Sequence, residues 1–222
     1  MQIALLGGTG DIGEGLALRF AYDTDHDVIV GSREESRAKS KAREYETELD
    51  SRGLDVDVQG LDNAAAAAAA DVVVLAVPAY HLSDTVEAID AEIDSETVLV
   101  TPAVGMQRDE DGFHYNRPGA GSVSELAADA APDDVPVVGA FHNLPAARLA
   151  NLDADLGIDT AVVGDDSDAV DTVTRLTEEV EGLRAVDAGP LANAAEIEAI
   201  TPLLINVAKN NDGMHDLGVR FR

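Results

Sequence analysis

The residues best suited to chemistry stand at the start of the chain. Gly7-Gly8-Thr9-Gly10-Asp11-Ile12-Gly13 contains a Gly-x-Gly-x-x-Gly at Gly8, Gly10 and Gly13. An apolar run, Gln2 to Leu6, precedes it. Asp11 to Tyr22 follows, with Ile12, Leu16, Ala17 and Phe20 at helical spacing. A second apolar run, Asp27 to Val30, completes a strand–loop–helix–strand unit. In that setting the glycines suit a dinucleotide pyrophosphate. Gly8 allows the tight turn, Gly10 admits the phosphates to the backbone, and Gly13 lets helix and strand pack closely. The helix N-terminus then offers free N–H groups and a positive dipole to the anion.

The end of the second run selects the dinucleotide. A site for NAD places Asp or Glu there to bond the ribose 2′-hydroxyl. This chain has Gly31-Ser32-Arg33, with Arg37 one helical turn on. Two arginines and a hydroxyl suit a 2′-phosphate, so the expected cofactor is NADP. The alternative is that both arginines pair with Glu34, Glu35 or Glu44 along a helix. The glycines also fit the pattern of extended short-chain dehydrogenases, which need a Tyr four residues before a Lys. Four residues after Tyr22, Tyr45, Tyr80 and Tyr115 stand His26, Leu49, Asp84 and Gly119, so that reading lacks its proton relay.

Other chemistries find little support. There is no Cys, which removes disulfides, thiolate metal sites and a cysteine nucleophile. The five His are not paired at metal-ligand spacing, so no metal site is expected. Fifteen basic against 43 acidic residues give a net charge of −28, which repels nucleic acid and anionic membranes. Lys39, Lys41 and Lys209 are the only lysines. An acidic, lysine-poor, folded chain points to a halophile, whose cytosolic salt screens repulsion within about 3 Å at 1 M. Neither a basic leader nor an apolar run long enough to span a bilayer is read, so the expectation is a cytoplasmic protein.

The surrounding elements must hold this loop and corner in place. Glu34 to Arg52 reads as a helix, Asp55 to Val58 as an edge strand, and Ala64 to Ala70 as a short helix capped by Asp62. Val72 to Val77 is apolar on both faces, as a central parallel strand should be, and Pro78 ends it. A helix from His81 to Glu92, a strand from Thr97 to Thr101, a long loop from Pro102 to Ser122, a helix from Ser124 to Ala131 and a strand from Val135 to Phe141 follow. Alternating strands and helices predict an α/β fold, a doubly wound parallel Rossmann-type sheet. Beyond a boundary near residue 150, Thr160 to Gly164 and Leu183 to Ala188 read as strands around a helix from Asp168 to Val180. Ala192 to Asn210 reads as a helix kinked by Pro202. The division expected is residues 1–150 for NADP and residues 151–222 as a small C-terminal domain.

A family resemblance names the second substrate. ALLGGTGDIGEGLALRFA (Ala4 to Ala21), VGSR (Val30 to Arg33), LAVPAYH (Leu75 to His81) and FHNLPAARLANLD (Phe141 to Asp153) resemble archaeal NADPH-dependent reductases of coenzyme F420, a deazaflavin. So do EGLRAVDAGPLANAAEIEAITPLLINVAKNN (Glu181 to Asn211) and GMHDLGVRF (Gly213 to Phe221). The resemblance implies a homodimer that moves hydride between NADP(H) and F420. It implies that Thr9 to Ile12, Ser32, Arg33 and Arg37 hold NADP, with the nicotinamide near Val77, Pro78 and Ala79 and with Val104 and Ala146 close by. His142, Leu144, Pro145, Leu203 and Met214 would meet the deazaflavin. Joining two carbon centres requires chiefly that two planar rings be held about 3–3.5 Å apart without water. His142 is a candidate to orient the deazaflavin, and equally a candidate for a packed structural residue. Two rivals stand beside this reading: an NADP-dependent imine or oxo-acid reductase, and a non-catalytic NADP(H) sensor.

Overall fold

The computed structural model describes residues 1–222. β1 (Gln2–Leu6) runs through the middle of the sheet because every residue after Gln2 is apolar and buried. Its side chains alternate between two cores: Ile3 and Leu5 enter one, Ala4 and Leu6 the other. β4 (Val72–Leu75) does the same with Val72 and Val74 against Val73 and Leu75. Such strands are stable only when helices cover both faces.

The remaining strands are β2 (Asp27–Ser32), β3 (Val58–Asp62), β5 (Val98–Thr101), β6 (Met106–Arg108), β7 (Phe113–Tyr115), β8 (Val137–Gly139), β9 (Ile158–Gly164) and β10 (Leu183–Asp187). Eight of the ten form one sheet in the order β3-β2-β1-β4-β5-β8-β9-β10. Neighbours are parallel except β8 and β9, which are antiparallel. The first six strands have the dinucleotide-binding order, which reverses between β1 and β4.

On one face lie α1 (Asp11–Asp23), α2 (Glu35–Ser51), α6 (Ala146–Ala150) and α7 (Ser167–Glu179), which share the core of Ile3 and Leu5. On the other lie α3 (Asn63–Ala68), α4 (Leu82–Glu87), α5 (Val123–Ala130) and α8 (Ala194–Glu198), followed by α9 (Ile200–Asn210). Asp62 caps α3 through the Ala65 N–H at 2.9 Å, as expected.

Apart from strand ends that shift by about two residues, four differences from the sequence reading stand out. The third strand starts at Val58, because its partner β2 offers Val28 to Ser32 for pairing with Val58 to Asp62. The expected loop Pro102 to Ser122 contains a hairpin, β6–β7, whose three-residue strands are too short to show a period. The helix expected from His81 to Glu92 is α4 with a 3₁₀ turn on each side. The kink expected at Pro202 is a break at Ala199, which puts the proline in the first turn of α9, where a missing N–H leaves no helical bond unmade.

The strands after residue 150 extend the same sheet. A C-terminal strap then returns to the start of β9: Val219 and Phe221 are tied to Asp159, and Arg184 of β10 holds the same carboxylate. The helical run Leu191–Asn210 has a mean hydropathy of 1.2 and is 33% buried, which is apolar and long enough for a membrane span by composition alone.

Candidate functional site

The loop after β1 turns at Gly7, whose φ of +83° an L side chain rarely adopts. The left-handed residue is therefore Gly7, where the sequence reading put the tight turn at Gly8. Gly13 does what its spacing implies: a Cβ there would sit 2.5 Å from the Gly7 carbonyl oxygen. Gly10 differs from both. A Cβ at Gly10 would meet only the Gly7 oxygen, at 3.4 Å, so the chain itself leaves that side open. The Tyr45 hydroxyl, donated from α2 to the Gly8 carbonyl at 2.7 Å, holds the loop from behind.

This loop forms one wall of a cleft of about 430 Å³. The cleft lies where the strand order reverses, the place at which open parallel sheets bind ligands. Gly7, Thr9 and Gly10 come from the β1 end, and Ser32, Arg33, Glu34 and Arg37 from the β2 end. Ala76, Val77 and Pro78 come from the β4 end. Arg33 and Arg37 are exposed, and no ion pair engages either. Glu35 pairs instead with Lys39 at 2.7 Å, and Glu44 with Lys41 at 2.8 Å. The alternative in which these helix acids neutralise the two arginines is thus not what the side chains do. Two free guanidinium groups beside Ser32 suit a dianion, as the sequence reading expects.

Several cleft residues were not singled out from the sequence. His81, Asp84, Thr85 and Ala88 form the far wall, at the i, i+3, i+4, i+7 spacing of one helical face. That signal was readable. Asn63 also lines the cleft, and its buried Oδ1 has no hydrogen-bond partner. Buried acceptors left without a donor are rare, and this one stands at the cleft wall. Only its place after Asp62, at the β3 end, hinted at this.

The other predicted contacts lie off the cleft walls. Gly8, Asp11, Ile12 and Gly13 build the loop and the start of α1, and Ala79 opens the 3₁₀ turn after Pro78. Val104 follows β5 half-buried, and Ala146 is the first residue of α6. The segment after β8 emerges at the same sheet edge, because β8 is parallel to β5. There Phe141 has a φ of +66° although it is bulky and wholly buried. Such conformations persist only where the surroundings over-determine them, and they gather at functional sites.

His142 points into the interior and is 3% exposed. Its Nε2 lies 3.3 Å from Ser124 Oγ, and its Nδ1 is buried without a partner. Burial lowers its pKa to about 3, so the ring is neutral. Ser124 Oγ in turn donates to Glu198, a buried carboxylate that also accepts from the Val123 and Ser124 N–H groups and from the Tyr115 hydroxyl. The side chain of His142 therefore belongs to a structural network and does not line the cleft. Leu144 is buried and Pro145 half-buried at the start of α6. Leu203 is 58% exposed and Met214 49%, and neither lines the cleft. Thr201, two residues before Leu203, ties α9 to this region by donating to the His142 carbonyl at 2.6 Å.

Comparison with known proteins agrees with the architecture. Residues 2–105 match the family described as NADP oxidoreductase, coenzyme F420-dependent. The F420-dependent NADP reductase of Methanothermobacter thermautotrophicus is 39% identical over 224 residues, covering 100% of this chain and 94% of that protein. That of Methanocaldococcus jannaschii is 37% identical over 212 residues, covering 93% and 92%. A chain from Arthrobacter sp. FB24, crystallised as a candidate F420-dependent NADP reductase, has the same fold. Its TM-score is 0.77 at 22% identity, over 100% of this chain and 99% of that one. With full-length relatives above a third identical and the cofactor cleft in place, this chain belongs to the F420-dependent NADP reductase family.

Proposed function

We propose that the protein is an oxidoreductase that transfers hydride between NADP(H) and the deazaflavin coenzyme F420. The carrying observation is the cleft at the strand-order reversal, where the open flank of Gly10 meets the unpaired Arg33 and Arg37. The loop N–H groups from Thr9 to Ile12 hold the pyrophosphate, with the dipole of α1 behind them. Ser32, Arg33 and Arg37 hold the 2′-phosphate, and Asn63 lines the adenosine half. Val77, Pro78 and Ala79 present an apolar floor to the nicotinamide, with Val104 and Ala146 flanking it. Leu144 and Pro145 face the second ring, which Leu203 and Met214 cover from the C-terminal side. When both groups are bound, hydride passes between the nicotinamide C4 and the deazaflavin C5. The chain's task is to stack and dry the two rings. His142, neutral and buried, holds the segment that carries Leu144 and Pro145 and supplies no proton.

In this reading residues 1–150 bind NADP and residues 151–222 complete the deazaflavin cleft. The apolar, half-exposed α9 supports a homodimer, and the charge of −28 supports a salt-rich archaeal cytoplasm. The test follows label. NADPH carrying deuterium at C4 should bleach the visible absorbance of F420 and deliver the label to reduced F420. Label in solvent, or reduction of a cyclic imine with F420 untouched, would overturn the assignment. No spectral change with either substrate would leave an NADP(H) sensor.

A further inference from the structure

Hydride transfer between two bound rings demands that two separately built sites keep one spacing, so the contacts that join them matter as much as those that line them. The NADP loop opens α1, and the second-ring segment opens α6. α1 meets α6 and the segments on either side of it at three points. Near the loop, a Cβ on Gly15 would stand 2.6 Å from Leu149 Cβ and 3.2 Å from the Ala146 carbonyl oxygen, so the helix backbones meet without a side chain between them. Further along, Phe20 meets the strained Phe141 edge-on, with ring centroids 6.0 Å apart.

One residue before Phe20 stands Arg19, a guanidinium only 3% exposed. Its Nε donates to the Leu149 carbonyl at 3.0 Å. One terminal nitrogen donates to the carbonyls of Asn151 at 2.7 Å and Ala154 at 2.9 Å, and reaches that of Arg148 at 3.5 Å. Its carboxylate partner, Asp23, lies at 3.8 Å on the same helix. Burial pushes the pKa of Arg19 down and that of Asp23 up. A buried ion pair of this kind adds little net stability compared with apolar residues of similar volume. What the planar fork adds is direction: it gathers carbonyls from the end of α6 and the turn after it.

We propose that α1 acts as a strut between the two ring sites and that Arg19 is its positioning residue: by holding the far end of α6 it sets where that helix, and through it the segment 141–146 at its start, stands relative to the glycine loop. Arg19 touches neither substrate. Its loss leaves the loop at the other end of α1 intact but lets α6 shift. The ring spacing then relaxes while NADPH still binds. This inference rests on the function proposed above.

The experiment compares wild type with Arg19→Met, Arg19→Lys and Gly15→Ala. Each is assayed for kcat, for KM toward NADPH and F420, and for the deuterium isotope effect with C4-labelled NADPH, at molar salt and with folding checked by thermal melt. Misplacement by about 1 Å costs on the order of a hundredfold in rate, so Arg19→Met should lower kcat at least tenfold. The isotope effect on kcat should rise as hydride transfer becomes limiting, while the NADPH KM stays within about twofold. Arg19→Lys should recover part of the rate. Gly15→Ala should reproduce the signature with the charge untouched, which keeps the idea testable if Arg19→Met fails to fold. Unchanged kcat and isotope effect in folded variants, or a rise in NADPH KM at constant kcat, would refute the strut. A wild-type protein unable to reduce F420 would instead refute the proposed function.

Discussion

Arg33 stands exposed at the end of β2 with no carboxylate on it, in a chain that carries 43 acidic residues. The freedom of that guanidinium is what suits the corner to a phosphate. A hydrogen bond to a charged partner is worth about 1.5–3 kcal/mol. Arg33→Ala should accordingly raise the NADPH Michaelis constant roughly tenfold or more and change that for NADH little. Equal losses with both cofactors would show that Arg33 only supports the loop. His142 makes the opposite case, a residue whose type suggests chemistry and whose ring is buried away from the cleft. Its folded pKa is about 3, against about 6.5 for an unfolded histidine. Its depressed value means that the unfolded chain takes up a proton first as pH falls. The stability it lends is complete above about pH 6.5 and is lost progressively toward about pH 3. Denaturation midpoints at pH 7 and pH 5 should therefore differ more for wild type than for His142→Asn. The same difference in both proteins would mean that the ring titrates freely.

Among the elements, α5, α8 and the hairpin β6–β7 are joined at one buried carboxylate. Glu198 receives the Tyr115 hydroxyl at 2.8 Å, the Val123 and Ser124 N–H groups at 3.0 Å each, and Ser124 Oγ at 3.1 Å. Two of these donors are unpaired N–H groups at the α5 N-terminus, where negative charge is favoured. Glu198→Gln keeps the shape but turns an amide N–H₂ toward two donors. It should destabilise the protein by about 2 kcal/mol, seen in calorimetry as a melting temperature lower by about 4–8 °C. Faster amide exchange should be confined to residues 106–130. A melt equal to wild type would show that the carboxylate is not ionised in the folded protein.

For the whole molecule, charge governs. A formal −28 on 222 residues is offset by few cations, and Lys41 is shared between Glu14 and Glu44. Lowering salt from 1 M to 0.1 M lengthens the screening distance from about 3 Å to about 10 Å, so acids that ignored one another begin to repel. The melting temperature should fall steeply over that range. A melt independent of salt would end the halophile reading.

The loop glycines, the basic corner and the alternation of strands and helices were legible because each depends on local backbone freedom, charge or periodicity. These determined the alternating α/β architecture, the glycine loop between β1 and α1 and the capping of α3 by Asp62 from residues close together in the chain, whereas the strand order came from pairings far apart in sequence. The tertiary structure decided what depends on distant partners. β3 begins at Val58 because β2 offers pairing only from there on. The hairpin β6–β7 exists because Tyr115 and Phe113 find Glu198 and Asn206 far along the chain. Whether Arg33 or Arg37 pairs with a neighbouring Glu could be posed from sequence but settled only by side-chain geometry. Arg19 read as one more helix residue, since a guanidinium gives no hint of four carbonyls that lie 129 to 135 residues away. Periodicity shows which face of a helix turns inward; only packing shows what that face will touch.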